Sequence, residues 1–215
     1  MVGPALALVV NAFVWGVSWW PFRQLEQAGL HPLAATTLIY LVAVVVLAFW
    51  WPRAWREVLA HPALWVLVVA SGTTNAAFNW AVTIGDVVRV VLLFYLMPLW
   101  AVLLARLLLH ERLTRLALLR VALALGGAMV ILWPEGGGWP LPRTLPEFLG
   151  VLGGFAFALN NVMLRREAAR SEGARAMAMF AGGALVAAVL ATVLTLQGRV
   201  PGLPAPAFGW IAGAL

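Results

Sequence analysis

Apolar residues fall into seven long runs, and the polar residues gather between them. The runs cover 5–22, 32–51, 63–83, 87–109, 113–133, 147–165 and 174–197, and an eighth starts near Pro206 and ends at Leu215. An α-helix rises 1.5 Å per residue, so about 20 residues cross a hydrocarbon core of about 30 Å. The pattern therefore predicts an all-α polytopic membrane protein with spans 1–7 and the start of span 8. A run of about ten residues is too short to cross. The chain thus reads as incomplete at its C-terminal end, or as having a last segment that packs against something else.

Span 4 organises the pattern. Between 87 and 109 only Arg89 and Arg106 are charged, and Pro98 stands at the centre. Proline has no N–H for the Phe94 carbonyl and crowds it, which predicts a bend with Pro98 as hinge and that carbonyl turned inward. On span 3, Ser71, Asn75 and Asn79 recur every four residues with Thr74 beside them, one polar stripe on a helix. On span 1, Asn11, Trp15 and Trp19 share a face that Ser18 borders. Tyr95 lies near the bend, and Asn160 and Asn161 lie in the inner half of span 6. Polar groups in lipid must find partners. A bent helix beside a polar stripe predicts a mid-membrane cavity between spans 1, 3, 4 and 6, touched by Trp15, Ser18, Asn75, Asn79, Tyr95 and Asn160. The alternative is that these residues only tie helices together, at about 0.6 kcal/mol per contact.

Composition agrees with a membrane chain. Hydrophobic residues make up 64% and charged residues 10%, and mean hydropathy is +0.96; soluble domains carry about 25% charged residues. Residues 1–10 lack a basic start and no A-x-A-like site follows, so this run is span 1 and not a cleavable signal. A net charge of +6 would point to nucleic acid in a soluble chain. Here all 14 basic residues are arginine and sit in short connections. Ten arginines flank the connections after spans 2, 4 and 6, and four those after spans 1, 3, 5 and 7, which puts the N-terminus in the cytoplasm. Richness in Ala, Gly, Arg and Trp with no Lys hints at a bacterial genome and so an inner membrane. Tryptophans mark the expected interfaces at Trp19, Trp20, Trp80 and Trp133 on one side and Trp50, Trp51, Trp55 and Trp65 on the other.

What is missing narrows the chemistry. No acidic residue lies inside a span, His31, His61 and His110 lie at span ends, and there is no cysteine. No catalytic set, metal centre or cofactor is expected. Gly126-Gly127, Gly150, Gly153-Gly154 and Gly182-Gly183 read as close-packing points between helices. The glycine- and proline-rich stretch 134–146 reads as an external linker between residues 1–133 and 147–215. In span 1 Arg23 follows Trp15 by eight residues, and in span 6 Arg165 follows Phe157 by eight. Five spans are an odd number, so a second copy of that unit enters the membrane inverted. Inverted repeats place transporter sites at the midplane between copies.

The run from Pro98 through Arg106, His110, Glu111, Arg112 and Leu113 to Thr114 resembles the fourth helix and following turn of EamA-type carriers of the drug/metabolite transporter superfamily. Their pattern is a mid-helix proline, an apolar run, then Gly-Glu-Arg-Leu-Thr, with His110 here in place of the glycine. Trp15-Gly16 and the glycine-containing span 5 are similar too. The resemblance implies ten helices as two inverted five-helix repeats around a central cavity, and export of metabolites, amino acids or amphipathic drug-like compounds by alternating access. Residues 1–133 are then the first repeat and 147–215 an incomplete second. Glu111 is read as structural, at the start of span 5 among arginines. The first-helix glutamate of the small multidrug pumps has no counterpart, and Asn11 in that region cannot carry a proton. The implied partners are a small-molecule substrate and the lipid bilayer, with a homo-oligomer left open and no nucleic acid. The competing class is a membrane-embedded enzyme or a non-transporting membrane partner protein.

Overall fold

The computed structural model describes residues 2–112, 114–133 and 141–202. The eighth run and most of the linker 134–146 lie outside them. The described residues form helices α1 (Val2–Val17), α2 (Trp19–Gln27), α3 (Pro32–Trp50), α4 (Ala54–Ala60), α5 (Pro62–Ile84), α6 (Val87–Phe94), α7 (Met97–Leu108), α8 (Arg115–Leu132), α9 (Leu145–Arg166) and α10 (Glu172–Leu196). Six helical stretches among them are long and apolar enough to cross a membrane, and seven when α4 and α5 are taken as one bent pair. The chain is an all-α multi-pass membrane protein.

Five of the ten described helices carry their own cap at the start. The first backbone N–H groups of a helix lack partners within it, and a side-chain oxygen or ring nitrogen can supply one. His31 Nδ1 accepts from the Leu33 N–H at 3.2 Å, Asp86 from Arg89 at 2.8 Å, Thr114 from Ala117 at 3.1 Å and Ser171 from Ala174 at 3.2 Å. At α9 the Glu147 carboxylate reaches back to the N–H groups of Arg143 at 2.6 Å and Thr144 at 3.3 Å.

Helix α5 is the central post. It packs against α9 on one side and α10 on the other, α10 packs on α3, and α9 carries α6 and α7. Small residues set these distances. A Cβ on Gly72 of α5 would overlap the Gly182 carbonyl of α10, and one on Gly182 would overlap the Val68 carbonyl. A Cβ on Gly154 of α9 would sit 2.5 Å from the Phe94 carbonyl oxygen. One cluster of buried side chains, with Val58, Leu64, Leu67, Met163 and Met177, joins α4, α5, α9 and α10. A second, with Phe78, Ala81, Val90 and Phe94, joins α5 to α6 at the opposite end. The outward faces of α1 and α8 are apolar: Leu6, Val9 and Phe13 on one, Leu119, Leu123 and Val130 on the other, are all exposed.

Four details depart from the sequence pattern. Span 1 is two helices that meet at Ser18, and the second runs on to Gln27; the Ser18 hydroxyl donates to the Trp15 carbonyl at 3.1 Å. Span 4 breaks at Tyr95–Leu96, one residue before α7, so that Pro98 falls in the first turn of a new helix, where its missing N–H is tolerated. The short amphipathic helix α4 has no counterpart among the apolar runs, and it meets α5 at 105°. Gly126 and Gly127 pack against none of the described residues, since a Cβ on either meets nothing within 4 Å.

Candidate functional site

Two clefts open on either side of Trp15. The first, about 300 Å³, is lined by Asn11, Trp15 and Trp19, by Phe78 of α5, by Phe94 and Tyr95, and by Phe157 of α9. Its walls are aromatic. Trp15 lies 5.1 Å from Phe78 between ring centroids and 6.5 Å from Phe157. Phe94 stands 4.9 Å from Phe78 and 5.4 Å from Phe157. Such tilted and edge-on pairs stabilise each other beyond simple burial. At its rim, Arg23 lies 5.4 Å from the centroid of the Trp19 ring. It donates to the carbonyls of Gly85 at 2.6 Å and Val82 at 3.2 Å, so a cation caps the C-terminal end of α5.

The second cleft, about 350 Å³, lies between α1, α2, α3, α5 and α10 and is lined by Trp15, Ser18, Tyr40, Asn75, Asn79 and Phe180 among others. Its floor is polar and largely satisfied. The Tyr40 hydroxyl donates to Asn75 Oδ1, and Asn75 Nδ2 donates to the Ser71 carbonyl at 2.8 Å. Asn79 Nδ2 donates to Thr36 Oγ1 at 3.1 Å, whose own hydroxyl bonds the Pro32 carbonyl at 2.8 Å. The stripe predicted on span 3 therefore bridges α5 to α3 through Asn75 and Asn79, and to α10 through Ser71, which donates to the Met179 carbonyl at 3.0 Å. It ties helices and lines a cleft at once.

The sequence-selected residues distribute over this arrangement as follows. Trp15 belongs to both clefts, Tyr95 to the first, and Ser18, Asn75 and Asn79 to the second. Asn160 is buried on α9, lines neither, and its Oδ1 has no hydrogen-bond partner among the described residues. Pro98 sits beside the first cleft, next to its lining residue Met97. Glu111 accepts a charged hydrogen bond from Arg165 of α9 and stands ahead of the Thr114 cap of α8. Sequence reasoning missed Tyr40, Phe78 and Phe94. A signal for the first existed: the chain has two tyrosines, both inside apolar runs. The two phenylalanines carry no such mark, because phenylalanine in a span faces lipid as readily as a neighbour. Among the described residues no group of three or more His, Cys, Asp or Glu could hold a metal ion.

A sequence profile of the EamA-like transporter family matches residues 3–133, which hold α1 to α8 and the lining of both clefts apart from Phe157 and Phe180. An uncharacterized transporter of Pseudomonas aeruginosa is 35% identical over 130 residues, 57% of this chain and 44% of that protein. The chain thus spans less than half of that relative's length. No solved structure matches. With the matched segment covering more than half of the 215 residues, and with its helices forming the multi-pass bundle described above, the chain belongs to the EamA-like transporter family.

Proposed function

We propose that the protein moves small amphipathic molecules, amino acids or drug-like compounds, across the inner membrane, in the export direction that the family resemblance implies. The observation that carries this is Trp15, one indole shared by an aromatic cleft and a polar one. Apolar walls with a few placed polar groups are the usual make-up of a small-molecule pocket. Trp15, Tyr95 and Phe157 offer flat faces to an apolar ring, while Asn75, Asn79 and Tyr40 offer hydrogen bonds without a formal charge. Desolvating an unpaired ion is costly, so neutral or zwitterionic substrates suit the site and polyanions do not.

Alternating access needs elements that move against a fixed frame. The break at Tyr95–Leu96 separates α6 from α7, and Pro98 keeps it from healing, since an N–H there is what would bond the Phe94 carbonyl. Pro98 is thus the hinge of this reading. The arginine asymmetry of ten to four supports a cytoplasmic N-terminus. Residues 1–133 and 147–215 serve as the two inverted units, joined by the external linker 134–146.

The test is transport by the full-length protein in proteoliposomes. Trp15→Ala and Asn79→Ala, compared at equal folded amount, are expected to lower uptake of an aromatic amino acid at least tenfold. Pro98→Ala is expected to slow transport with binding retained. Unchanged uptake and affinity in both Trp15 and Asn79 variants would remove the pocket assignment. A single cysteine at Arg56 that labels only from the cytoplasmic side fixes the orientation; labelling from outside reverses it.

A further inference from the structure

A third cleft lies away from these two, at the opposite end of the bundle from Arg23. It holds about 180 Å³ between α7, α8 and α9, and its floor is small and apolar: Ala101, Ala105 and Ala117. Its rim is basic, with Arg106 from the last turn of α7, Arg112 from the following turn and Arg165 from α9. Glu111 also stands there, but its carboxylate is engaged by Arg165. Among the described residues neither Arg106 nor Arg112 has a carboxylate within ion-pair distance. Three guanidinium groups against one carboxylate leave an excess of two positive charges around a recess.

The recess also has a distinctive place. Arg106 and Arg112 stand where span 4 ends and span 5 begins, the level at which lipid headgroups meet water. Immediately beside it, Leu103 and Leu107 of α7 and Leu116 and Leu119 of α8 are exposed at 42%, 69%, 56% and 55%. Acyl chains cover such leucine rows at no polar cost, while guanidinium groups bind phosphate oxygens through paired N–H donors. We propose that this cleft binds the phosphate of an anionic phospholipid, with Arg106 and Arg112 as its ligands and the acyl chains lying on the leucines of α7 and α8. Arg165 takes no direct part, because its charge holds Glu111 and keeps that carboxylate from repelling the phosphate. This goes beyond the transport site and shares no residue with it.

A soluble phosphate could satisfy the same guanidinium groups, but it has no use for the leucine rows. The alternative for the arginines is that they only set orientation, in which case any basic loop at this end attracts anionic lipid equally well. Full-length protein in detergent is titrated with phosphatidylglycerol, with phosphatidylcholine and with inorganic phosphate, and retained lipid is counted by native mass spectrometry alongside the thermal midpoint. Phosphatidylglycerol is expected to be retained and to raise the midpoint by several degrees, with phosphatidylcholine and phosphate ineffective. Arg106→Gln with Arg112→Gln is expected to weaken retention about thirtyfold, on the scale of the attraction of two basic residues to an anionic surface. Arg56→Gln with Arg53→Gln, the same charge loss at a distant turn, should leave it unchanged. Equal weakening by the distant pair, or equal stabilisation by phosphatidylcholine, would overturn the site; a midpoint shift by inorganic phosphate as large as that by phosphatidylglycerol would overturn the lipid as its source. If the double glutamine variant does not fold, Arg106→Lys with Arg112→Lys replaces it. Lysine keeps the charge and loses the paired donors, so retention must fall there as well.

Discussion

The indole of Trp15 stands edge-on to the ring of Phe157, with centroids 6.5 Å apart and planes at 70°. These are the residues that precede Arg23 and Arg165 by eight positions, so the sequence correspondence between spans 1 and 6 is also a physical contact. Edge-on aromatic pairs contribute about 0.5–1.5 kcal/mol beyond burial. A double-mutant cycle of Trp15→Leu and Phe157→Leu, read by unfolding in detergent, is expected to show coupling of that size. Additive effects would mean that the rings act independently.

Glycine substitutions should separate packed from unpacked positions. Gly182→Ala puts a methyl group against the Val68 carbonyl and is expected to destabilise by about 1–3 kcal/mol, or more if α5 and α10 must part. Gly126→Ala meets nothing within 4 Å and should stabilise α8 by up to about 1 kcal/mol through helix propensity. Thermal midpoints of the two variants, measured in one detergent, are expected to move in opposite directions.

His110 holds a left-handed backbone, with φ at +56°, just beyond the end of α7. The Leu109 and Glu111 N–H groups both reach the Ala105 carbonyl, at 3.0 and 3.3 Å. This is the position where helices favour glycine, since a Cβ disfavours that conformation. His110→Gly is expected to stabilise the protein by about 0.5–1 kcal/mol, net of the extra freedom glycine has when unfolded. A lower midpoint would show that the imidazole contributes more than its backbone costs.

Acid should loosen the turn between α2 and α3. His31 Nδ1 accepts the Leu33 N–H, and burial holds the imidazole below its ordinary 6.5. The neutral form is favoured in the folded protein, so its contribution is complete above about pH 6.5 and is lost as pH falls through the lowered value. Amide exchange at Leu33 and Ala34 is expected to accelerate across that window relative to the rest of α3. His31→Asn keeps a cap that does not titrate and should remove the pH dependence.

The spans were legible in the sequence because lipid imposes one demand, a continuous apolar helix, and the chain meets it seven times. Boundaries for α3, α5, α8, α9 and α10 differ from the apolar runs by two residues or fewer. The amphipathic α4 was not legible, since its seven residues carry no span-length signal and are fixed by tertiary contacts: Val58 is fully buried, and Glu57 accepts from the Ser171 N–H at 3.2 Å. The break at Ser18 was hidden for another reason. The apolar run passes through it unbroken, and its one local mark is Pro21, which has no N–H for the Val17 carbonyl where α1 ends. Of the site, the polar half was visible because asparagine in lipid needs an explanation. The aromatic half took shape only when α5, α6 and α9 met.

The contact of Gly72 with Gly182 divides the molecule mechanically. Backbone pressed on backbone leaves these two helices no room to slide at that point, and the side chains of Leu64, Leu67, Met177 and Ala178 interlock α5 and α10 on one side of it, beside α4, which turns 105° from α5. The two helices form a stator. In the transport cycle proposed above, the parts that move against this post are those joined by broken helices, α1 with α2 at Ser18 and α6 with α7 at Tyr95.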